Sequence, residues 1–114
     1  MSKERFVKVS TALRDDGVMA ELKGAPLAVF LAIALHVDRR GECWPGMTRL
    51  AKLTGFNRSS VSRAVGRLEE LGLLTVRRRP RPRTNLYIVN RYAEYGHGEW
   101  RDPEVSEEHG GSQE

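Results

Sequence analysis

The sequence of 114 residues contains one cysteine, eight aromatic residues and no long apolar run. Cys43 has no partner for an internal disulfide, which is typical of proteins in a reducing compartment. The longest apolar run, residues 25–35, has 11 residues, whereas a membrane-spanning helix needs about 20. Residues 1–10 lack the charged and then apolar pattern of a secretory leader. We therefore expect a cytoplasmic protein without a membrane partner.

The sequence also lacks the motifs that carry catalytic chemistry. There is no glycine-rich phosphate loop, no pair of catalytic carboxylates and no nucleophile with a nearby base. His36, His97 and His109 show no metal-ligand spacing with Cys43, which we predict to be a small core residue. We expect no enzymatic activity, no cofactor and no metal, and no small-molecule ligand is evident.

The charge is divided unevenly along the chain. Residues 1–90 hold 17 Lys and Arg against 8 Asp and Glu, a balance of +9. Residues 91–114 hold 2 Arg against 7 acids, a balance of −5, and the two segments account for the net +4. A basic body indicates a polyanionic partner. We expect the acidic segment to be disordered beyond Tyr92 or Tyr95.

Two short helices joined by a tight turn are predicted over residues 47–71. Leu50 and Ala51 share one face of the first helix, and Gly55 can adopt the left-handed conformation that ends it. Asn57 can cap the second helix. Apolar residues then recur at helical spacing, so one face of the second helix is predicted to be buried through Val61, Ala64, Val65, Leu68 and Leu71.

The opposite face of the second helix is polar and basic. No acid interrupts this face before Glu69. Such side chains can contact phosphates and base edges in the major groove. The predicted DNA-contacting residues here are Arg58, Ser59, Ser60, Ser62, Arg63 and Arg67, with Thr48 and Arg49 from the first helix.

A basic hairpin follows the helix pair. Residues 73–77 and 86–89 alternate like two strands, with a predicted buried stripe of Leu74, Val76, Leu86 and Ile88. Five arginines occur in residues 77–83, and prolines there prevent ladder hydrogen bonds. A solvated loop is the alternative interpretation, but five like charges repel one another unless a polyanion is bound. We therefore predict DNA contacts by Arg77, Arg78, Arg79, Arg81 and Arg83.

The segments ALHVDRRGECWPG, LAKLTGFNRSSVSRAV and RLEELGLLTVRRR together resemble the bacterial winged helix-turn-helix proteins. The chain is most similar to small domains of plasmid and phage replication initiators and to compact transcription regulators. Ala51, Gly55 and Val61 match the small, glycine and branched positions of the helix-turn-helix pattern. Gly46 departs from the serine cap that often follows this WP stretch, and the wing is rich in arginine and proline instead of glycine.

The resemblance implies a mainly α fold with a small β-hairpin, a winged helix-turn-helix domain over residues 5–90. Residues 91–114 form the predicted acidic tail. Double-stranded DNA is the implied partner, and a transcriptional regulator is the function we favour, because a chain of this length leaves no room for an ATPase or polymerase-recruiting domain. A replication or partition accessory factor of a plasmid or phage uses the same surface. A winged-helix module that binds protein is a third alternative, against which Arg58, Arg63 and Arg67 argue.

Three further expectations concern the residues before the helix pair. The helix over residues 25–35 is apolar nearly all round, and it is either buried or supplies a homodimer interface. Its predicted core stripe is Leu27, Phe30, Leu31, Ala34 and Leu35. His36 is predicted to interact with the last carbonyls of that helix, and Trp44 is predicted to be a core aromatic.

Overall fold

The computed structural model describes residues 5–97. Within these residues, five helices and five short strands follow one another. The helices are α1 (Ala12–Asp15), α2 (Val18–Leu22), α3 (Ala25–Ala34), α4 (Met47–Thr54) and α5 (Arg58–Glu70). The strands are β1 (Val7–Val9), β2 (Glu42–Cys43), β3 (Leu74–Arg77), β4 (Leu86–Val89) and β5 (Ala93–Tyr95).

The three longer helices enclose the core. α3 lies against α5, α4 and α2, and it also reaches β4. Val29, Phe30 and Ile33 of α3 are fully buried, as are Leu50 of α4 and Leu68 of α5. Burial of several large apolar side chains in one cluster is what holds such a small domain together.

Two antiparallel sheets flank the helices. One has the strand order β2–β4–β3, in which Leu74 lies opposite Val89 and Val76 lies opposite Tyr87. The other is a two-stranded ribbon of β1 and β5, with Val7 opposite Tyr95. The predicted hairpin and the predicted winged helix-turn-helix fold are confirmed, and β2 adds a third strand to the hairpin.

The predicted core stripe of α3 is wrong in two of its five positions. Leu31 is 37% exposed and Leu35 is 67% exposed, whereas Val29, Ala32 and Ile33 are buried. Because α3 is apolar on all sides, its sequence does not define which side faces the core. Contacts with α4, α5 and the sheet decide that orientation.

The buried face of β4 also differs from the prediction. Tyr87 is fully buried and Val89 is buried, while the predicted Leu86 and Ile88 are half-buried. Residues directly opposite each other in an antiparallel pair lie on the same face, so the register of Val76 with Tyr87 fixes which face of β4 is covered. The sequence LYIV is apolar on both faces, and alternation alone could not settle it.

Trp44 is not the core aromatic that we predicted. Its side chain is 53% exposed, whereas its neighbours Cys43 and Pro45 are buried. In an extended segment successive side chains point to opposite sides, so burial of Cys43 and Pro45 directs Trp44 outward. Cys43 is the small core residue that we expected, and its thiol contacts the carbonyl of Ile33 at 3.4 Å.

The ordered fold continues beyond residue 90, where we placed the end of the domain. β5 lies at Ala93–Tyr95 and pairs along its length with β1. The amide of Gly96 then donates to the carbonyl of Phe6 at 2.8 Å. The predicted disordered tail lies, from residue 98 onward, outside the described residues.

Candidate nucleic-acid interface

The turn between α4 and α5 is built as the sequence predicts. Gly55 has φ of 81° and its amide donates to the carbonyl of Ala51, which ends α4 in the left-handed conformation. Asn57 has extended backbone angles, and its side-chain oxygen accepts from the amide of Ser60 at 2.8 Å. Both predictions are confirmed. The two caps set α5 at a fixed angle to α4 across only three connecting residues.

α5 has one buried face and one free face. Its buried side chains are Val61, Ala64, Val65 and Leu68, which match four of the five predicted positions, and Leu71 is half-buried. The opposite face exposes Arg58, Ser59, Ser62, Arg63 and Arg67, with Ser60 half-buried. The first turn of α5 contains no acid, so the positive end of the helix dipole adds to this basic face.

The first turn of α4 joins the basic face of α5. Thr48 accepts a hydrogen bond from the Arg58 guanidinium at 3.1 Å. Arg49 donates from Nε to Nε2 of His36 at 2.9 Å. The Thr48–Arg58 bond brings the first turn of α4 and the first turn of α5 to one surface, whereas the Arg49 bond runs to the end of α3.

The two hydrogen bonds of the His36 ring indicate which of its nitrogens carries the proton. Its Nδ1 lies 2.6 Å from the carbonyl of Ala32, which confirms the predicted contact with the last turn of α3. Since Nε2 accepts from Arg49, the ring proton belongs on Nδ1, where it can be donated to that carbonyl. The imidazole thus connects the end of α3 to the first turn of α4.

Arg67 differs from the other arginines of α5. Its guanidinium pairs with the carboxylate of Glu21 in α2 at 3.4 Å, across 46 residues of sequence. Both side chains are about half exposed, and such surface pairs contribute about 0–1 kcal/mol. DNA phosphates would have to compete with Glu21 for this guanidinium. The sequence pattern of α5 alone gives no sign of this pair.

The five arginines of the wing fall into two groups. Arg78 donates twice to the Glu69 carboxylate, at 3.2 and 3.3 Å, and Arg79 donates to the carbonyl of Thr84 at 2.7 Å. Contact with Glu69 raises the pKa of Arg78 above its usual value. The other group forms no ion pair within residues 5–97 and consists of Arg77, Arg81 and Arg83, all exposed.

Thr84 anchors the end of the wing to the segment before α4. Its hydroxyl donates to the carbonyl of Trp44 at 2.8 Å, and its own carbonyl accepts from Arg79. The wing tip is therefore tied at Thr84 while Arg81 and Arg83 stay exposed. This tie was not foreseen from the sequence, because it joins residues 40 positions apart.

The thiol of Cys43 is not a reactive group in this fold. Burial, aided by the negative charge of Asp38, raises the pKa of Cys43 to about 12. Only the thiolate is a good nucleophile or metal ligand. At neutral pH Cys43 therefore acts as an apolar core side chain.

Among residues 5–97, no helix is both long enough and apolar enough to span a bilayer.

Residues 20–74 match a family model described as a helix-turn-helix domain. The match begins within α2 and ends at the first residue of β3, so it contains the capped helix pair but not the rest of the wing. No curated protein and no solved structure matches the chain significantly.

Proposed function

We propose, from the match of residues 20–74 to a helix-turn-helix domain family, that the protein is a sequence-specific double-stranded DNA-binding protein that regulates transcription. The observation that carries this proposal is the free face of α5, where Arg58 and Arg63 stand with three serines and no acid. A protein-binding module would present a neutral or apolar face instead. We assign the protein no catalytic activity and place it in the cytoplasm, on chromosomal, plasmid or phage DNA.

The N-terminal half of α5 is the proposed base-reading segment. In helix-turn-helix domains the recognition helix enters the major groove with its first residues nearest the bases. In this chain those residues include Arg58, Ser59, Ser60 and Arg63. Within residues 5–97, the Arg63 guanidinium makes a single long hydrogen bond, to Ser60 Oγ at 3.5 Å, so it can reorient toward a guanine. A bidentate arginine–guanine contact discriminates by about 1–3 kcal/mol.

Arg67 has a different proposed role. Its position near the C-terminal half of α5 and its pairing with Glu21 suit a phosphate contact that positions the helix without reading sequence. The unpaired wing arginines would add further phosphate or minor-groove contacts. The charge balance of +9 over residues 1–90 would supply a nonspecific attraction to DNA in addition to these contacts.

Selection of bound sequences from random duplex DNA tests the proposal. We expect the parent to select a defined sequence motif. Arg63→Ala should lose the base preference at one or two positions of that motif. Arg67→Ala should lower the affinity for the motif and for random duplex DNA by the same factor. Arg14→Ala is the matched control, because Arg14 is exposed and its one ion pair in the described part of the chain is with Asp15.

The contrary results are distinct. Failure to enrich any motif would refute sequence-specific recognition. Equal losses on motif and random DNA for Arg63→Ala would reduce Arg63 to a phosphate contact. Mapping the motif to iterated sites at a replication origin, instead of to promoters, would favour the replication or partition factor over the regulator.

A further inference from the structure

An open cleft of about 610 Å³ lies where the end of α3 meets the turn into β2 and the β1–β5 ribbon. His36 and Trp44 line it on the helix and turn side, and Arg5 and Tyr95 line it on the ribbon side. None of the residues predicted to contact DNA lines this cleft. Its volume lies within the range of about 300–1,000 Å³ that is typical of small-molecule sites.

Aromatic rings form part of the cleft wall. Trp44 exposes 53% of its surface into solvent although it stands between two buried residues. Tyr95 is half-buried. An exposed indole beside a phenol ring offers stacking surface to a planar molecule.

Two guanidinium groups lie over the Tyr95 ring. Arg39 lies 5.3 Å and Arg5 lies 5.8 Å from the centroid of the Tyr95 ring. Arg5 also donates to the carbonyl of Val37 at 2.6 Å, which holds it in place. Arg40 lines the cleft as well, and within residues 5–97 none of the three arginines forms an ion pair.

Two acids also line the cleft. The Asp38 carboxylate accepts the backbone amides of Arg40 and Glu42 at 2.8 and 3.0 Å, and these bonds stabilise its charge without cancelling it. Arg5, Arg39 and Arg40 therefore face two carboxylates, Asp38 and Glu42, which leaves a balance of +1 among the lining residues. That balance suits a single negative group.

We propose that this cleft binds a small planar anion, that is, an aromatic or heteroaromatic ring bearing a carboxylate or a phosphate. The ring stacks on the exposed Trp44 indole, and the anionic group pairs with Arg39 and Arg40. Binding is reversible, since the buried Cys43 thiol stays protonated and offers no nucleophile.

Two hydrogen bonds connect the cleft to the candidate nucleic-acid interface. The carbonyl of Trp44 accepts from Thr84 at the wing, and Nε2 of His36 accepts from Arg49 in α4. A ligand that shifts Trp44 or His36 therefore acts on two elements that face DNA. This regulatory part rests on the proposed function, whereas ligand binding itself does not.

The fluorescence of Trp44 provides a test that needs no DNA. The chain has two tryptophans, so Trp100→Phe in the full-length protein leaves Trp44 as the reporter. We expect a saturable change with 4-hydroxybenzoate or with AMP below about 5 mM. The matched neutral molecules 4-hydroxybenzamide and adenosine should bind at least about tenfold more weakly. Response to the first or second anion distinguishes a carboxylate ligand from a phosphate ligand.

A charge-neutralising variant completes the test. In the Trp100→Phe background, Arg39→Gln with Arg40→Gln should weaken the responding anion by about tenfold or more, while Arg14→Gln should leave its affinity unchanged. Arg14, Arg39 and Arg40 are all exposed, and circular dichroism of each variant checks that the fold is retained. No saturable change with either anion, equal binding of the neutral molecules, or unchanged affinity in the double variant would each overturn the proposal. If the anion binds but duplex DNA does not, the cleft stands and the proposed function fails.

Discussion

Replacing Arg77, Arg81 and Arg83 together with alanine separates the DNA-contacting role of the wing from its structural role. These three side chains are exposed and form no ion pair within residues 5–97. The hydrogen bonds from Arg78 to Glu69 and from Arg79 to Thr84 remain in the variant. The variant should therefore keep the stability of the parent, since exposed substitutions of this kind usually change it by less than about 0.5 kcal/mol.

The expected effect is on the salt dependence of DNA binding. Each phosphate contact contributes about 0.9 to the slope of log affinity against log salt, so loss of three contacts lowers the slope by about 2.7. Between about 50 and 200 mM salt, the parent should then lose roughly 40-fold more affinity than the variant. Fluorescence anisotropy on one duplex across this range measures both slopes. If the arginines enter a minor groove, the variant should also lose a preference for A·T-rich flanks.

The control removes the same number of charges elsewhere. Lys8, Arg14 and Arg91 each pair with an acid outside the candidate interface, and their replacement by alanine should leave the slope nearly unchanged. A folded wing variant with the slope and flanking preference of the parent would show that the wing arginines point to solvent. A control variant whose slope falls as far as that of the wing variant would show that net charge, and not contact, sets the salt dependence.

Four further predictions follow from single contacts. Gly96→Ala places a Cβ against the Phe6 ring and should cost about 1–3 kcal/mol of unfolding free energy in urea. Gly66→Ala in α5 meets nothing and should instead stabilise the protein by up to about 1 kcal/mol through helix propensity; equal losses in the two variants would contradict the packing. Burial raises the pKa of Asp38, but the backbone amides of Glu42 and Arg40 and the Arg40 charge together outweigh it, so the pKa lies below its usual value. The stability difference between parent and Asp38→Ala should therefore be present at neutral pH and shrink as the pH falls below about 4; a difference that stays constant from about pH 7 to about pH 2 would refute this. Ending the chain after His97 should tighten binding to random duplex, most at low salt, by removing acids that compete for the arginines; unchanged affinity would assign the tail another role. If α3 supplies a homodimer interface, Leu35→Glu should convert a dimer to a monomer in sedimentation, whereas a monomeric parent at high micromolar concentration would exclude that interface.

Local signals predicted the helix pair well. Gly55 and Asn57 act through their own backbone angles and through hydrogen bonds that span at most four residues, so their roles can be inferred from the sequence. The helical spacing from Val61 to Leu68 defines the buried face of α5 because the opposite face is polar. Where one face is clearly polar, periodicity alone orients an element.

Contacts between distant residues account for what the sequence did not predict. Neither the pair of Arg67 with Glu21 nor the tie from Thr84 to Trp44 is encoded in local spacing. The predictions of which side of α3 and which face of β4 are buried were wrong for a related reason, because both segments are apolar on every side. Their burial is decided by neighbours that the chain brings together only on folding.

The β1–β5 ribbon holds residues nearly 90 positions apart side by side, and an isolated two-stranded sheet is only marginally stable. We therefore expect its strands to open and close as one unit, with hydrogen exchange at Val7 and Tyr95 occurring at a common rate faster than that of the core of α5. Each opening separates Arg5 and Tyr95 and removes one wall of the cleft, while the capped helix pair remains intact. Anything bound there would slow exchange in the ribbon and thereby join the two ends of the described fold more firmly.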